Sequence, residues 1–247
     1  MKVKFDAAPV LRKLSRYGDL REEDLRALRS LLEEFGRLRG TREQIGACED
    51  GPCGIRFVLS GWACRYKSLE DGRRQIVAFL LPGEVCDVCH SGISPTDSAM
   101  ATLTPVVFSE VPQGRFEALL HDFPTIARAL WRETAIDMSI QREWTLNVGQ
   151  RHAYERLAHL LCEIFLRLNQ AGLTSGITCE FPMTQCDLAD ATGLSVVHVN
   201  RTLQELRSEN LISLQGKTLS VPNLQRLQSA ALFDTAYLYP AAADARA

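Results

Sequence analysis

Residues 183–212, MTQCDLADATGLSVVHVNRTLQELRSENLI, leave the chain few options besides two short helices joined by a glycine turn. Thr184 is placed to cap the first helix, Leu188 and Ala189 lie where the two must meet, and Gly193-Leu194 makes the tight connection. Ser195 then caps a second helix over residues 196–209. On it Val196, Val199, Leu203 and Leu206 recur at i, i+3, i+7 and i+10, which predicts a core face. The opposite face carries Val197, His198, Asn200, Arg201 and Gln204. Arginine and asparagine can each bond bidentately to guanine and adenine edges, and valine can touch a thymine methyl, so this surface suits a DNA major groove. A merely solvated helical hairpin would look much the same in isolation. Directly after the second helix, however, comes ISLQGKTLSV, two short apolar runs around Gln215-Gly216-Lys217. That pattern predicts a β-hairpin wing with Lys217 near a phosphate backbone.

The chain has 247 residues, 46% hydrophobic and 23% charged, which suffices for one large or two modest globular cores. The first residues lack the apolar run of a signal peptide, and no stretch approaches the ~20 apolar residues of a membrane span. A cytoplasmic location is the expectation, with no membrane partner. The net charge of −2 argues against a non-specific nucleic-acid coat. Between Met183 and Lys217, Arg201, Arg207 and Lys217 are offset by Asp187, Asp190, Glu205 and Glu209. Affinity must then come from a few placed contacts doubled by symmetry, which implies a homodimer.

Upstream, DLREEDLRALRSLLEEF predicts a helix with Asp19 and Glu22 as a capping box and Leu25, Leu28, Leu32 and Phe35 on one face. From about Thr41 to Val111 short alternating runs are broken by turns, with Asp71-Gly72 a hairpin signal and Gly61, Pro82 and Gly83 as punctuation. The expected fold class is therefore α+β. An N-terminal helix and an antiparallel, jelly-roll-like β roll occupy residues 1–123, a long helix 124–149, and a winged helix-turn-helix domain 150–247. The long helix has two apolar seams. Ala127, Trp131, Thr134, Met138, Thr145 and Val148 form one, assigned to a dimer interface, while Ile126, Ala129, Ile136, Ile140 and Trp144 form another, assigned to the chain's own β domain. A further helix runs from about His152 to Asn169.

This order of parts resembles the Crp/Fnr family of bacterial transcription regulators. FVLSGWACRYKSLEDGRRQIVAFLLPGE is similar to that family's roll, and LADATGLSVVHVNRTLQELRSENLI to its DNA reader. The resemblance implies a homodimer on a two-fold symmetric double-stranded operator, a roll acting as sensor, and RNA polymerase as partner when the protein activates. It places Ser195, Val197, His198, Asn200 and Arg201 where the family touches bases and phosphates, with Gln185 and Lys217 near the backbone. At Val197 members that read the best-known operators carry a glutamate, so an altered half-site is expected. Members that bind cyclic nucleotides carry Arg-Ser for the phosphate, where this chain has Thr96, Asp97 and Ser98. A carboxylate there repels a phosphate, so cyclic AMP is not the expected effector.

Eight cysteines in a reducing compartment are thiols or ligands rather than a disulfide framework. The clustered N-terminal cysteines of iron-sulfur relatives are missing, since none precedes Cys48. Cys48, Cys53, Cys86, Cys89 and His90 are the candidate ligands for zinc, iron or an iron-sulfur cluster, and they carry the alternative reading of a metal or redox sensor regulator. The opposing reading makes them small hydrophobes in the roll. Cys86-Asp-Val-Cys89-His90 also matches a covalent haem motif, but that attachment belongs to exported proteins. Cys64 and Cys162 read as core, and Cys186, in the first reader helix, as a site where oxidation could weaken DNA binding. No nucleophile elbow, phosphate-cradling glycine loop or HExxH is present, so no enzyme is expected.

Overall fold

The computed structural model describes residues 5–46, 53–88 and 98–239. By internal contacts it divides into two units, one comprising residues up to Arg73 with Ala78–Glu133, the other Arg74–Val77 with Thr134 onward.

The first unit begins with α1 (Ala8–Ser15) and α2 (Glu22–Glu34). No strong sequence signal announces α1, an eight-residue helix started by Pro9, which buries Val10, Leu11 and Leu14. The cap of α2 differs from expectation. Its first helical residue is Glu22, so Asp19 lies outside it and the N3 residue is Asp24, whose Oδ2 accepts from the Arg21 amide at 2.7 Å. Leu28, Leu31 and Leu32 form the buried stripe, while Leu25 and Phe35 are half-buried.

Among the described residues eight roll strands come next: β1 (Gly36–Arg39), β2 (Gln44–Ile45), β3 (Cys53–Ser60), β4 (Ala63–Ser68), β5 (Arg74–Leu80), β6 (Val85–Val88), β7 (Ala99–Thr102) and β8 (Val106–Pro112). They make two four-stranded sheets, ordered β1-β8-β3-β6 and β2-β7-β4-β5. The β4–β5 hairpin turns at Gly72 with φ +85°, as Asp71-Gly72 predicts. Gly61 is obligatory in a stricter sense. Its φ is +78°, and a Cβ there would stand 2.1 Å from the Pro105 carbonyl oxygen. Inside the roll Ile45, Val58, Ala63, Leu80, Cys86, Met100, Val106 and Phe108 form one apolar cluster. A large apolar side chain such as Val, Leu, Ile, Phe or Met contributes about 1.5–3 kcal/mol when fully buried.

Then come α3 (Gln113–Asp122) and the long helix α4 (Pro124–Gln150). The two seams of α4 differ in burial. Ile126, Ala129, Ile136, Ile140 and Trp144 are buried, while Trp131, Thr134, Met138, Thr145 and Val148 are exposed and Ala127 is half-buried. Trp144 corrects one detail, because its Nε1 donates to Glu163 Oε1 at 3.0 Å in the next helix, so this end of the buried seam packs within the second unit.

That next helix, α5 (Ala153–Gln170), is capped at His152, whose amide donates to Glu155 Oε2 at 3.0 Å. It is the spine of the second unit and is buried nearly all round, its apolar residues Leu157, Leu160, Leu161, Cys162, Ile164 and Leu168 interleaved with buried His159, Glu163 and Arg167. Around it fold β9 (Thr174–Ser175), β10 (Thr178–Glu180), α6 (Gln185–Thr192), α7 (Val196–Ser208), β11 (Ser213–Gln215), β12 (Thr218–Ser220) and α8 (Leu224–Ala230). Among the described residues no helix is long and apolar enough to cross a membrane.

Candidate nucleic-acid interface

Both reader helices start as their sequence predicts. Thr184 Oγ1 accepts from the Asp187 amide at 3.2 Å, and Asp187 Oδ2 accepts from the Thr184 amide at 2.9 Å, so two otherwise orphaned donors are satisfied reciprocally. Gly193 closes α6 in the left-handed region at φ +67°. Ser195 Oγ accepts from the His198 amide at 3.2 Å and starts α7. Leu188 and Ala189 are buried at the junction, and Val199, Leu203 and Leu206 form the inner face of α7. Val196 departs from that face. It is the first residue of the helix, where no preceding turn covers it, and it is 40% exposed.

On the outer face Val197 is 80% exposed. Arg201 and Gln204 are exposed, while His198 and Asn200 are half-buried. Asn200 Nδ2 donates to Gln185 Oε1 at 3.2 Å, which brings two of the sequence-selected residues together across the helix pair. Lys217 stands exposed in the turn between β11 and β12, with Gly216 at φ +59° beside it. The wing is larger than a hairpin: β11-β12-β10-β9 form one antiparallel sheet, with Thr178–Glu180 paired to Thr218–Ser220. Two- and three-residue strands have almost no periodicity to announce them.

Supports for α7 are hidden from the sequence because their partners are distant in the chain. Tyr154 OH donates to Glu209 Oε2 at 2.6 Å, and burial, then the Glu209 carboxylate, pushes this phenol up. The Arg226 guanidinium donates to the Glu209 carbonyl at 3.3 Å. Arg156 donates to the Thr192 carbonyl at 2.8 Å, satisfying the last turn of α6. Asn210, at φ +55°, ends α7 in the left-handed conformation that asparagine tolerates. That residue is a legible stop signal.

A buried polar network joins α5 to the end of α4 and to Tyr237. Glu163 Oε1 accepts from Trp144 Nε1 and from Arg167 at 2.9 Å, and Glu163 Oε2 accepts from Tyr237 OH at 2.9 Å. Burial pushes the Glu163 carboxyl up, against the pull of Arg167. The His159 ring packs tilted against Phe233, with centroids 4.6 Å apart, and burial, then the Arg151 charge, pushes its imidazole down to about 3. Its Nε2 stands 3.5 Å from Glu143. A ring so hard to protonate is neutral there, so the contact is polar rather than an ion pair.

The cysteine candidates divide. Cys48, Cys89 and His90, with Thr96 and Asp97, lie outside the described residues, and Cys53 opens β3. Cys86 is buried in the roll cluster, and its Sγ lies 3.3 Å from the Arg56 carbonyl, to which it donates. Among the described residues no group of three or more His, Cys, Asp or Glu side chains could hold a metal. Cys64 and Cys162 are core, the latter pushed up to about 12 by burial and Glu163, and Cys186 is exposed.

A roll followed by a long helix and a winged helix-turn-helix with an outward, polar-and-valine reader face defines a DNA-binding transcription regulator. Residues 44–123 match the cyclic nucleotide-binding domain model, and residues 155–230 the Crp-like helix-turn-helix domain model. The nitrogen fixation regulation protein FixK of Bradyrhizobium diazoefficiens is 31% identical over 193 residues, 76% of this chain and 78% of its own. The transcriptional activator protein FnrL of Cereibacter sphaeroides is 29% identical over 66% of each chain. The structure of FixK2 from Bradyrhizobium japonicum superposes with a TM-score of 0.68 at 28% identity, covering 79% of this chain and 96% of that one. The chain belongs to the Crp/Fnr family of transcription regulators.

Proposed function

We propose that this regulator is a homodimer, paired along the α4 seam of Ala127, Trp131, Thr134, Met138 and Thr145, that reads a two-fold symmetric operator through α7. The observation that carries the reading is the exposure of Trp131 at 78% and Met138 at 58% on a helix whose other seam is buried. Two large apolar side chains spaced along one seam are what a coiled-coil partner covers. Gln185, Ser195, Val197, His198, Asn200, Arg201, Gln204 and Lys217 form the reading surface, and two copies of α7 one DNA turn apart supply the affinity that the local charge lacks. The roll receives a signal other than cyclic AMP. The sequence supports this, since Asp97 lies in the stretch where cyclic-nucleotide binders carry an arginine for the phosphate, and a carboxylate there repels that group. The similarity to FnrL, a transcriptional activator protein, favours activation, with RNA polymerase as the further partner.

Sedimentation of the wild type and Trp131→Glu tests the assembly. The wild type should run as a dimer that binds DNA fragments selected from a random pool, and the variant as a folded monomer with at least tenfold weaker binding, about 1.4 kcal/mol. An unchanged dimer in Trp131→Glu sinks the seam assignment. Saturating cyclic AMP should move neither Tm nor DNA affinity. A clear stabilisation overturns that part.

A further inference from the structure

The Gln185–Asn200 bond joins residues 15 positions apart, one in the first turn of α6 and the other in the second turn of α7. Asparagine reads adenine with a fixed sense: Oδ1 accepts from the N6 amino group, and Nδ2 donates to N7. A carboxamide alone is poorly suited to keep that sense, because its terminal torsion is broad and roughly two-fold. Here the Gln185 carbonyl oxygen takes one of the two Nδ2 hydrogens, which fixes the nitrogen end toward α6. The second Nδ2 hydrogen and Oδ1 are left for a base edge. Gln185 in turn spends its acceptor on Asn200 and keeps its own Nε2 donors for a phosphate oxygen.

We propose that Gln185 is a positioning residue for base readout, holding the Asn200 carboxamide so that each α7 selects an adenine in one strand sense. The proposal rests on the reading that α7 enters the major groove. It goes beyond that reading by giving α6 a share in sequence specificity, where a phosphate contact alone would add affinity without discrimination. The pair works as one unit, so the two residues should not contribute independently.

The test is selection from a DNA pool with a randomised half-site in two-fold repeat, followed by affinity measurement on the winner and its single-base changes. Wild type, Asn200→Ala, Gln185→Met, Gln185→Glu and the Gln185→Met/Asn200→Ala double variant are compared, each checked by its melting curve. Asn200→Ala should abolish the preference for adenine at one position. Gln185→Met, similar in size but unable to accept, should weaken that same preference roughly fivefold, the worth of one neutral hydrogen bond. Gln185→Glu keeps an acceptor for Nδ2, so it should retain the adenine preference while binding every sequence more weakly. The double variant should discriminate no worse than Asn200→Ala. If Gln185→Met lowers affinity equally on all sequences, or changes nothing, Gln185 is at most a phosphate contact and the proposal fails. If the wild type enriches no sequence at all, the major-groove reading itself falls, an outcome distinct from both.

Discussion

His159 is a neutral imidazole inside a protein domain, and its burial makes stability depend on pH. Its ordinary pKa lies near 6.5, while burial holds the folded form at about 3. Below pH 6.5 the unfolded chain therefore binds a proton that the folded chain refuses, and stability falls as the pH drops through that window. The loss between pH 8 and pH 5 is about 2 kcal/mol from this group alone. Glu163, raised by burial, acts with the opposite sign, so the group is isolated by comparison rather than by the wild type's own profile. Denaturant unfolding of His159→Gln should show a flatter loss of stability from pH 8 to 5 than the wild type, and parallel profiles would refute the assignment. In the first unit Lys13 plays a different part. It is buried, with its Nζ 2.6 Å from Glu133 and 3.3 Å from Glu84. Lys13→Met removes the cation between two buried carboxylates, and the expected loss is about 3–5 kcal/mol, read as a lower unfolding midpoint. A change under about 1 kcal/mol would mean that the carboxylates find other compensation.

Elements were legible where their signals are local. Thr184 with Asp187, Gly193 and Ser195 each act within four residues, so the reader helices and their caps can be read from the sequence, and the Gln215-Gly216-Lys217 turn likewise. The α4 seams were legible too, because a 27-residue helix gives its periodicity room to show. What stayed hidden was non-local. α1 has eight residues, and its only local signal, Pro9, does not distinguish a helix start from a turn. Glu163 and Tyr237, or Tyr154 and Glu209, are chosen by packing across 74 and 55 residues of chain. The exposed Val196 misled for a third reason: helical spacing marks a face but not the missing turn above it at an N-terminus. Because the α6 cap is local, its removal should also have a local cost. Thr184→Ala should lower stability by about 1 kcal/mol and weaken DNA binding further than Ser208→Ala, a substitution at the far end of α7. Equal binding by the two variants would show that the cap does not help hold Gln185 in place.

For the whole molecule, the decisive quantity is how few cations the reader surface offers. Arg201, Arg207 and Lys217 are set against Asp187, Asp190, Glu205 and Glu209 in the same stretch, so there is no broad positive field to draw DNA from a distance. If Arg201 is spent on a base edge, Lys217 and Arg207 are the cations of that stretch left for phosphates, roughly four in a dimer. The slope of log K against log salt should then be near about −4, shallow for a specific regulator. Lys217→Ala removes one cation from each wing, and a dimer should lose about 2 from that slope while its preferred sequence stays the same, since phosphate contacts position and base contacts specify. A loss of only about 1 would indicate that one wing alone touches DNA, contradicting a symmetric operator complex. An unchanged slope would place both wings away from the backbone and leave the reader helices as the whole of the interface.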